Sequence, residues 1–375
     1  YIGLEKGHFF GLTEKAGCVI MKEKREAITS MKKVLYRIRQ YILSRFLHLT
    51  EHKTAHIEEG AGSVNRIPSL LENEGAKSVL LVTTPGTIRR GMFCEMPDIA
   101  SVEAGRAKYS ENDCRAIVAV GGGSVLDCAK MIGARVARPR RTVAQMRGTL
   151  KVGRKLPFLI AVPTTAGTGS EVTAAAVITE IKNGVHDKYP VSDLHLIPRV
   201  AVLDATLTRT LPPSLTAATG MDALTHAVEA YTNLFASKYV QNTAREAVYT
   251  IFQTLPRAVE NGEDLEARGK MLHASMQAGI AFTNNFVGYV HALAHAIGGL
   301  YGVPHGKANA VLLPAVFDGF GKSAYKKLSQ LAAVIGVEKA TEQESAAAFL
   351  AAVRELRETV KMPENFPELR PADYD

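Results

Sequence analysis

The pattern of apolar residues changes once along this chain, and that change dictates a fold in two parts. From Ile57 to about Leu211, short apolar runs alternate with amphipathic stretches, the signature of β/α units around a parallel sheet. KSVLLVTT (77–84), RAIVAVGGG (115–123), LPFLIAVPTT (156–165) and RVAVLDATL (199–207) read as buried strands. SVEAGRAKYSEN and SVLDCAKMIGARVA read as helices beside them. Beyond Leu211 the strands stop. Long Ala-rich amphipathic stretches follow: SLTAATGMDALTHAVEAYTN, KYVQNTAREAVYTIFQTLPRAVEN, EARGKMLHASMQAGIAFTNN, a helix around His291, and KLSQLAAVIG. The boundary between the two parts is short, at Ala205 to Pro213, and a cleft between such parts is a common place for a small-molecule site.

Composition removes several classes of function. The 375 residues suffice for two domains, and no apolar run approaches the ~20 residues of a membrane span. Four scattered cysteines form no CxxC pair, so a reducing cytoplasm is the expected location. The net charge of +8 sits mostly in residues 1–56, which hold seven Lys and four Arg against five Glu. Without a recognition motif or an aromatic stacking platform, that charge does not predict nucleic-acid binding. The same segment carries Ile28, Met31, Leu35, Ile38, Ile42, Phe46 and Leu49 on one helical stripe, with Lys32, Arg37, Arg39 and Arg45 outside it. Such a helix is expected to dock on protein, an acidic membrane surface being the alternative. Its apolar residues are periodic and no small-residue cleavage site follows, unlike a secretory signal. The chain opens on Tyr1 and closes on RPADYD, so a fragment is expected, with a natural start at Met21 or Met31.

The second part holds a metal-binding pattern. Asp222 and His226 lie four apart in GMDALTHAVEAY, His291 and His295 four apart in YVHALAHAIGG, and His305 follows in VPHGKANA. A four-residue offset stacks two side chains on one helical face, so each pair can reach a common point. Gly298-Gly299 is the expected stop of the second helix. Imidazoles plus a carboxylate suit iron(II) or zinc better than magnesium or calcium, and no Cys lies after Cys128 to build a thiolate site. The alternative for each histidine taken alone is a hydrogen-bonded packing residue.

The first part holds an anion-binding pattern. Gly121-Gly122-Gly123-Ser124 follows a Val/Ala/Ile strand and opens a helix, where free N–H groups and the helix dipole face an anion. It is not GxGxxG, and a glycine turn alone carries little. PTTAGTGSEVT (163–173) strengthens it, placing Thr164, Thr165, Thr168 and Ser170 after another strand at the same sheet edge.

Taken in order, GGGSVLDCAK, AVPTTAGTGSEVT, GMDALTHAVEAY and HALAHAIGGLYGVPHGKANAVLLP closely resemble the iron-containing (group III) alcohol dehydrogenases, from about Glu59 to Asp375. The resemblance implies an α/β Rossmann-like N-terminal domain holding NAD or NADP and an all-helical C-terminal metal-binding domain, a dehydroquinate synthase-like architecture. It divides the chain into a basic extension (1–56), the dinucleotide-binding domain (57–208) and the helical domain (209–375). It places Fe(II), or zinc, on Asp222, His226, His291 and His305, and makes His295 a non-ligand that assists proton transfer, second-shell packing being the alternative. It puts the pyrophosphate at Gly121, Gly122, Gly123 and Ser124 with Asp127 beside it, and further cofactor contacts at Thr164, Thr165 and Lys188. The implied reaction is reversible hydride transfer between a small alcohol and its aldehyde or ketone, in a homodimer.

Two departures qualify this. Members that prefer NAD carry Asp at the end of the first strand, where this chain has Thr84; with Arg89 and Arg90 behind it, NADP is admitted. The alternative is that Thr84 caps a turn and the arginines are solvated. Residues 85–115 then hold little more than one helix, where the family has an extra strand, which puts activity in doubt. Two rivals follow: a non-catalytic oligomerising homologue, and a dehydroquinate-synthase-like lyase, which the Ala- and Gly-rich region 278–302 argues against for lack of a basic lining.

Overall fold

The computed structural model describes residues 37–38, 40–42, 45, 49–50, 53–84, 98–182 and 185–369. Residues 1–50 and 51–375 form two units, and the whole of the fold below belongs to the second. The described parts of residues 37–45 are helical; most of the apolar stripe, with Arg89 and Arg90, falls outside the described residues.

Among the described residues five parallel strands make the main sheet: β1 (His56–Glu59), β2 (Val79–Thr83), β3 (Ala116–Gly121), β5 (Phe158–Pro163) and β8 (Val200–Leu203), in the order β1-β8-β5-β3-β2. The central strands are near-continuous Val, Ile and Ala because both faces are covered. Alternation then sorts their side chains. Ile117, Ala119, Leu159 and Ala161 meet Val102 of α2 (Ile99–Glu111) and Leu126, Ala129 and Ile132 of α3 (Gly123–Ala137). Val118, Ile160, Val162, Val200 and Val202 face the other way, onto Ile67, Leu70 and Leu71 of α1 (Ile67–Asn73). Between Thr84 and β3 the described residues hold only α2, and β2 is an edge strand among them, its Leu81 exposed. β2 and β3 pair parallel, and residues 85–97 between them lie outside the described residues.

A smaller sheet was not foreseen. β6 (Ala175–Lys182) and β7 (Val185–Ser192) pair antiparallel, with β4 (Gly148–Thr149) along β7. Seven helices follow: α4 (Pro213–Thr232), α5 (Lys238–Glu260), α6 (Leu265–Thr283), α7 (Tyr289–Tyr301), α8 (His305–Phe320), α9 (Lys322–Val334) and α10 (Glu342–Thr359). Their core packs Met221, Leu224 and Val228 of α4 with Val248, Ile251 and Leu255 of α5 and Leu272 of α6. The expected stop at Gly298-Gly299 is corrected: α7 runs through both glycines and ends at Gly302, whose φ of 69° takes the left-handed turn that closes a helix.

Candidate functional site

The metal-binding pattern converges. Asp222 and His226 lie one turn apart on α4, His291 is on the first turn of α7, and His305 opens α8 after Pro304. Oδ1 of Asp222 is 3.6 Å from Nε2 of His291 and 3.5 Å from Nε2 of His305. Ligand atoms of Asp222, His226 and His291 all lie within 4.8 Å of one another. Two donors about 2.1 Å from a tetrahedral ion stand roughly 3.4 Å apart, so this spacing fits a small divalent cation. The His226 ring is stacked between Phe282 and His291, at centroid distances of 4.4 and 4.3 Å. Its buried Nδ1 finds no hydrogen-bond partner among the described residues, an orphan that a cation would satisfy.

Electrostatics agree with ligand duty. Burial pushes the His226 imidazole down to about 3, against the pull of Asp222. Burial would raise the Asp222 carboxyl, but the charges of His226 and His305 and the His291 hydrogen bond hold it well below the usual carboxylate range. His291 goes the other way, up to about 9, because hydrogen bonds to Asp222 and Glu229 overcome burial. An ionised carboxylate among imidazoles is a site that trades a proton for a metal.

Glu229 was missed by sequence reading. It continues the Asp222–His226 face of α4, is buried, and accepts from the backbone N–H groups of Gly288 (2.8 Å) and Val290 (2.7 Å). Its third contact is the 2.6 Å hydrogen bond from Nδ1 of His291. That bond orients the ring with Nδ1–H on the carboxylate, so a cation that displaced the Nε2 proton would meet Nε2. His295 lies one turn further along α7 at the site's mouth, exposed, its ring 4.8 Å from His305. Partial burial and the two neighbouring imidazoles lower its pKa. Lys188, half-buried on β7, lies close enough for its charge to depress both His295 and His305.

The anion-binding loops also meet. β3 ends at Gly121, Gly122 caps α3 and Gly123 opens it, with Ser124 next. A Cβ on Gly123 would lie 2.6 Å from Thr168, so only glycine lets the two loops touch here. The Thr164 N–H donates to the Gly121 carbonyl over 2.9 Å, joining the loops at their roots, while Thr165 borders Gly122. Asp127 serves as a clamp, accepting from the Ser170 hydroxyl (2.6 Å) and the Val177 N–H (2.9 Å). Beside it the fully buried Lys130, also missed, donates to the carbonyls of Thr173 and Ala175 and to the Thr173 hydroxyl. Thr84 lies half-buried just beyond β2.

Comparison with known proteins matches this arrangement. Residues 93–205 match the family described as iron-containing alcohol dehydrogenase, and residues 216–371 match "Fe-containing alcohol dehydrogenase family, C-terminal". Alcohol dehydrogenase 4 of Schizosaccharomyces pombe is 39% identical over 306 residues, covering 76% of this chain and 72% of the relative. The chain belongs to the iron-containing alcohol dehydrogenase family. NAD-dependent methanol dehydrogenase of Bacillus methanolicus is 35% identical over 340 residues, 84% of this chain and 88% of the relative. The solved alcohol dehydrogenase from Oenococcus oeni superposes with a TM-score of 0.80 at 32% identity, over 86% of this chain and 90% of that one. As a member of the iron-containing alcohol dehydrogenases, the chain is an oxidoreductase acting on alcohols, with a parallel α/β N-terminal part and a helical C-terminal part. Among the described residues no helix is long and apolar enough to cross a membrane.

Proposed function

We propose that the chain transfers hydride reversibly between a small alcohol and NAD or NADP, with a divalent metal, iron(II) or zinc, held by Asp222, His226, His291 and His305. The convergence of those four side chains carries the reading. A cation there supplies Lewis acidity, which lowers the pKa of an alcohol hydroxyl. The chain's own residues do the rest. Glu229 orients the His291 ring, and the N–H groups at Gly122 to Ser124, with Thr164 and Thr165, offer donors to a pyrophosphate. Lys188 brings a positive charge from β7 to the same mouth. Thr84 sets no carboxylate against a 2′-phosphate, which supports use of NADP as well as NAD. A homodimer follows only from the family.

The test is metal content by elemental analysis, with NAD- and NADP-linked oxidation of short alcohols by protein reconstituted anaerobically with iron(II). Stoichiometric metal with turnover is expected. A protein that holds metal but oxidises no alcohol with either cofactor would favour the non-catalytic rival, whose motivation is the short 85–115 segment. His295 passes the alcohol proton towards solvent in this reading. The His295→Ala protein is therefore expected to keep its metal and lose about 10²-fold or more in rate while the parent imidazole is neutral, the difference closing as pH falls through its pKa of about 4. Unchanged turnover across pH would remove that role.

A further inference from the structure

We propose that the loops spanning 138–141 and 150–155 form a contact surface for an anionic lipid bilayer, with Leu150 as its apolar anchor and six cations set around it. The inference is independent of the metal reading: the loops stand at the end of α3 opposite the glycine turn, about 20 Å away along a 15-residue helix.

Charge is unevenly spread in this part of the molecule. No Asp or Glu stands between Asp127 and Glu171, while nine Lys and Arg do. Lys130 is buried, Arg135 meets Glu103 and Arg147 meets Asp187, which leaves Arg138, Arg140, Arg141, Lys151, Arg154 and Lys155. The fold gathers these six. Arg138 donates to the carbonyls of Val152 (2.7 Å) and Gly153 (2.9 Å), and Arg141 to that of Lys151, so the two loops are tied together. A carbonyl satisfies a guanidinium N–H without cancelling its charge. Arg140, Lys151, Arg154 and Lys155 are exposed, and their side chains enter no ion pair among the described residues. Desolvation and the charges of Arg154 and Arg141 lower the pKa of Arg138, and Asp193 is the carboxylate that acts against them.

Leu150 follows β4 directly and lies next to Lys151 in this field. Its N–H is bonded to the Ser192 carbonyl (2.7 Å) and its φ is 57°, a backbone conformation that a residue with a Cβ rarely takes. Val143, Met146, Val152 and Leu156 of the same stretch are buried, whereas Leu150 remains half exposed. An apolar side chain left to solvent among cations suits the boundary between lipid headgroups and acyl chains, where the cations meet phosphates and carboxylates. Other polyanions fit less well. Residues 138–157 hold no aromatic side chain on which bases could stack. β4 has two residues, too short an edge for a peptide to add as a strand.

The experiment floats the full chain with vesicles of phosphatidylcholine, with and without one part in three of phosphatidylserine. Binding to the anionic vesicles alone is expected, weakening between about 0.1 M and about 1 M salt. Joint replacement Arg140→Gln, Arg154→Gln and Lys155→Gln should lower the partition coefficient roughly 100-fold, about fivefold for each charge. Leu150→Asn keeps every charge and suits the left-handed backbone; it should lower partition about five- to tenfold, with a melting temperature at or above the parent's. Because residues 1–56 also carry excess positive charge, each variant is compared with the parent. A parent that stays off anionic vesicles, or a triple variant that binds as the parent does, overturns the inference. Loss in the triple variant alone overturns it as well, and assigns the cations to a soluble polyanion such as an acidic peptide. Leu150→Gly repeats the comparison if the asparagine variant does not fold.

Discussion

The His291→Ala protein is expected to come through purification without metal and with turnover reduced by roughly three orders of magnitude or more. In the proposed site, His291 is the ligand tied to the most neighbours. Its Nε2 lies 3.6 Å from Asp222, its ring stacks at 4.3 Å on His226, and its Nδ1 is tied to Glu229. Removing an outer-shell partner of a metal ligand costs about 10- to 100-fold in affinity, so loss of the ligand itself costs more. Lewis-acid stabilisation is worth several kcal/mol, and each 1.36 kcal/mol is about tenfold in rate. Elemental analysis and alcohol oxidation read the two effects on the same sample. A variant that retained a full equivalent of metal, or a tenth of parental turnover, would exclude His291 as a ligand. His273→Ala is the control, since His273 bonds Glu59 on the protein surface and should leave both quantities unchanged.

The second large effect is on stability. Gly169→Ala is expected to cost about 2–4 kcal/mol, read as a lower denaturation midpoint with an unchanged slope. Gly169 has a φ of 60°, and a Cβ there would lie 2.7 Å from Cα of Gly279 and 2.9 Å from the Ser275 carbonyl oxygen. Both obstacles are backbone of α6, so no side-chain rotation relieves the clash. The left-handed conformation adds about 1 kcal/mol for a residue with a Cβ. The loop after β5 and the helical part therefore meet backbone to backbone. A loss below about 1 kcal/mol would show that this contact is looser than the distances state.

What the sequence disclosed, and what it hid, follows from which signals are local. The central strands and the pair Asp222–His226 were legible because a run of Val and Ile, or an offset of four, has one structural meaning. Glu229 extends the same stripe by three residues, yet a carboxylate on a helix ordinarily reads as solvated; only the fold brings Gly288 and Val290 to it. β1 is four residues with three polar side chains, and the β6–β7 hairpin mixes charged and apolar residues, so neither has a periodicity to announce it. α8 was obscured by the proline inside it, Pro314, whereas α10 carries a local signal in its capping box, Thr341 with Glu344. Gly298-Gly299 misled in the opposite direction. Glycine permits a helix to end without requiring it, and the packing of Ala294, Ile297 and Tyr301 against Val303 and Val311 carries α7 two residues further.

The four prospective ligands come from three helices, with 64 residues between His226 and His291 and 13 between His291 and His305. A cation held there is also a cross-link that the unfolded chain lacks. Folding stability then depends on supply: above the dissociation constant, each tenfold rise in free metal adds about 1.4 kcal/mol. A cell short of the metal would lose more than a fraction of active sites, because the unloaded chains would unfold more often and be degraded. The amount of protein present would itself report the metal available.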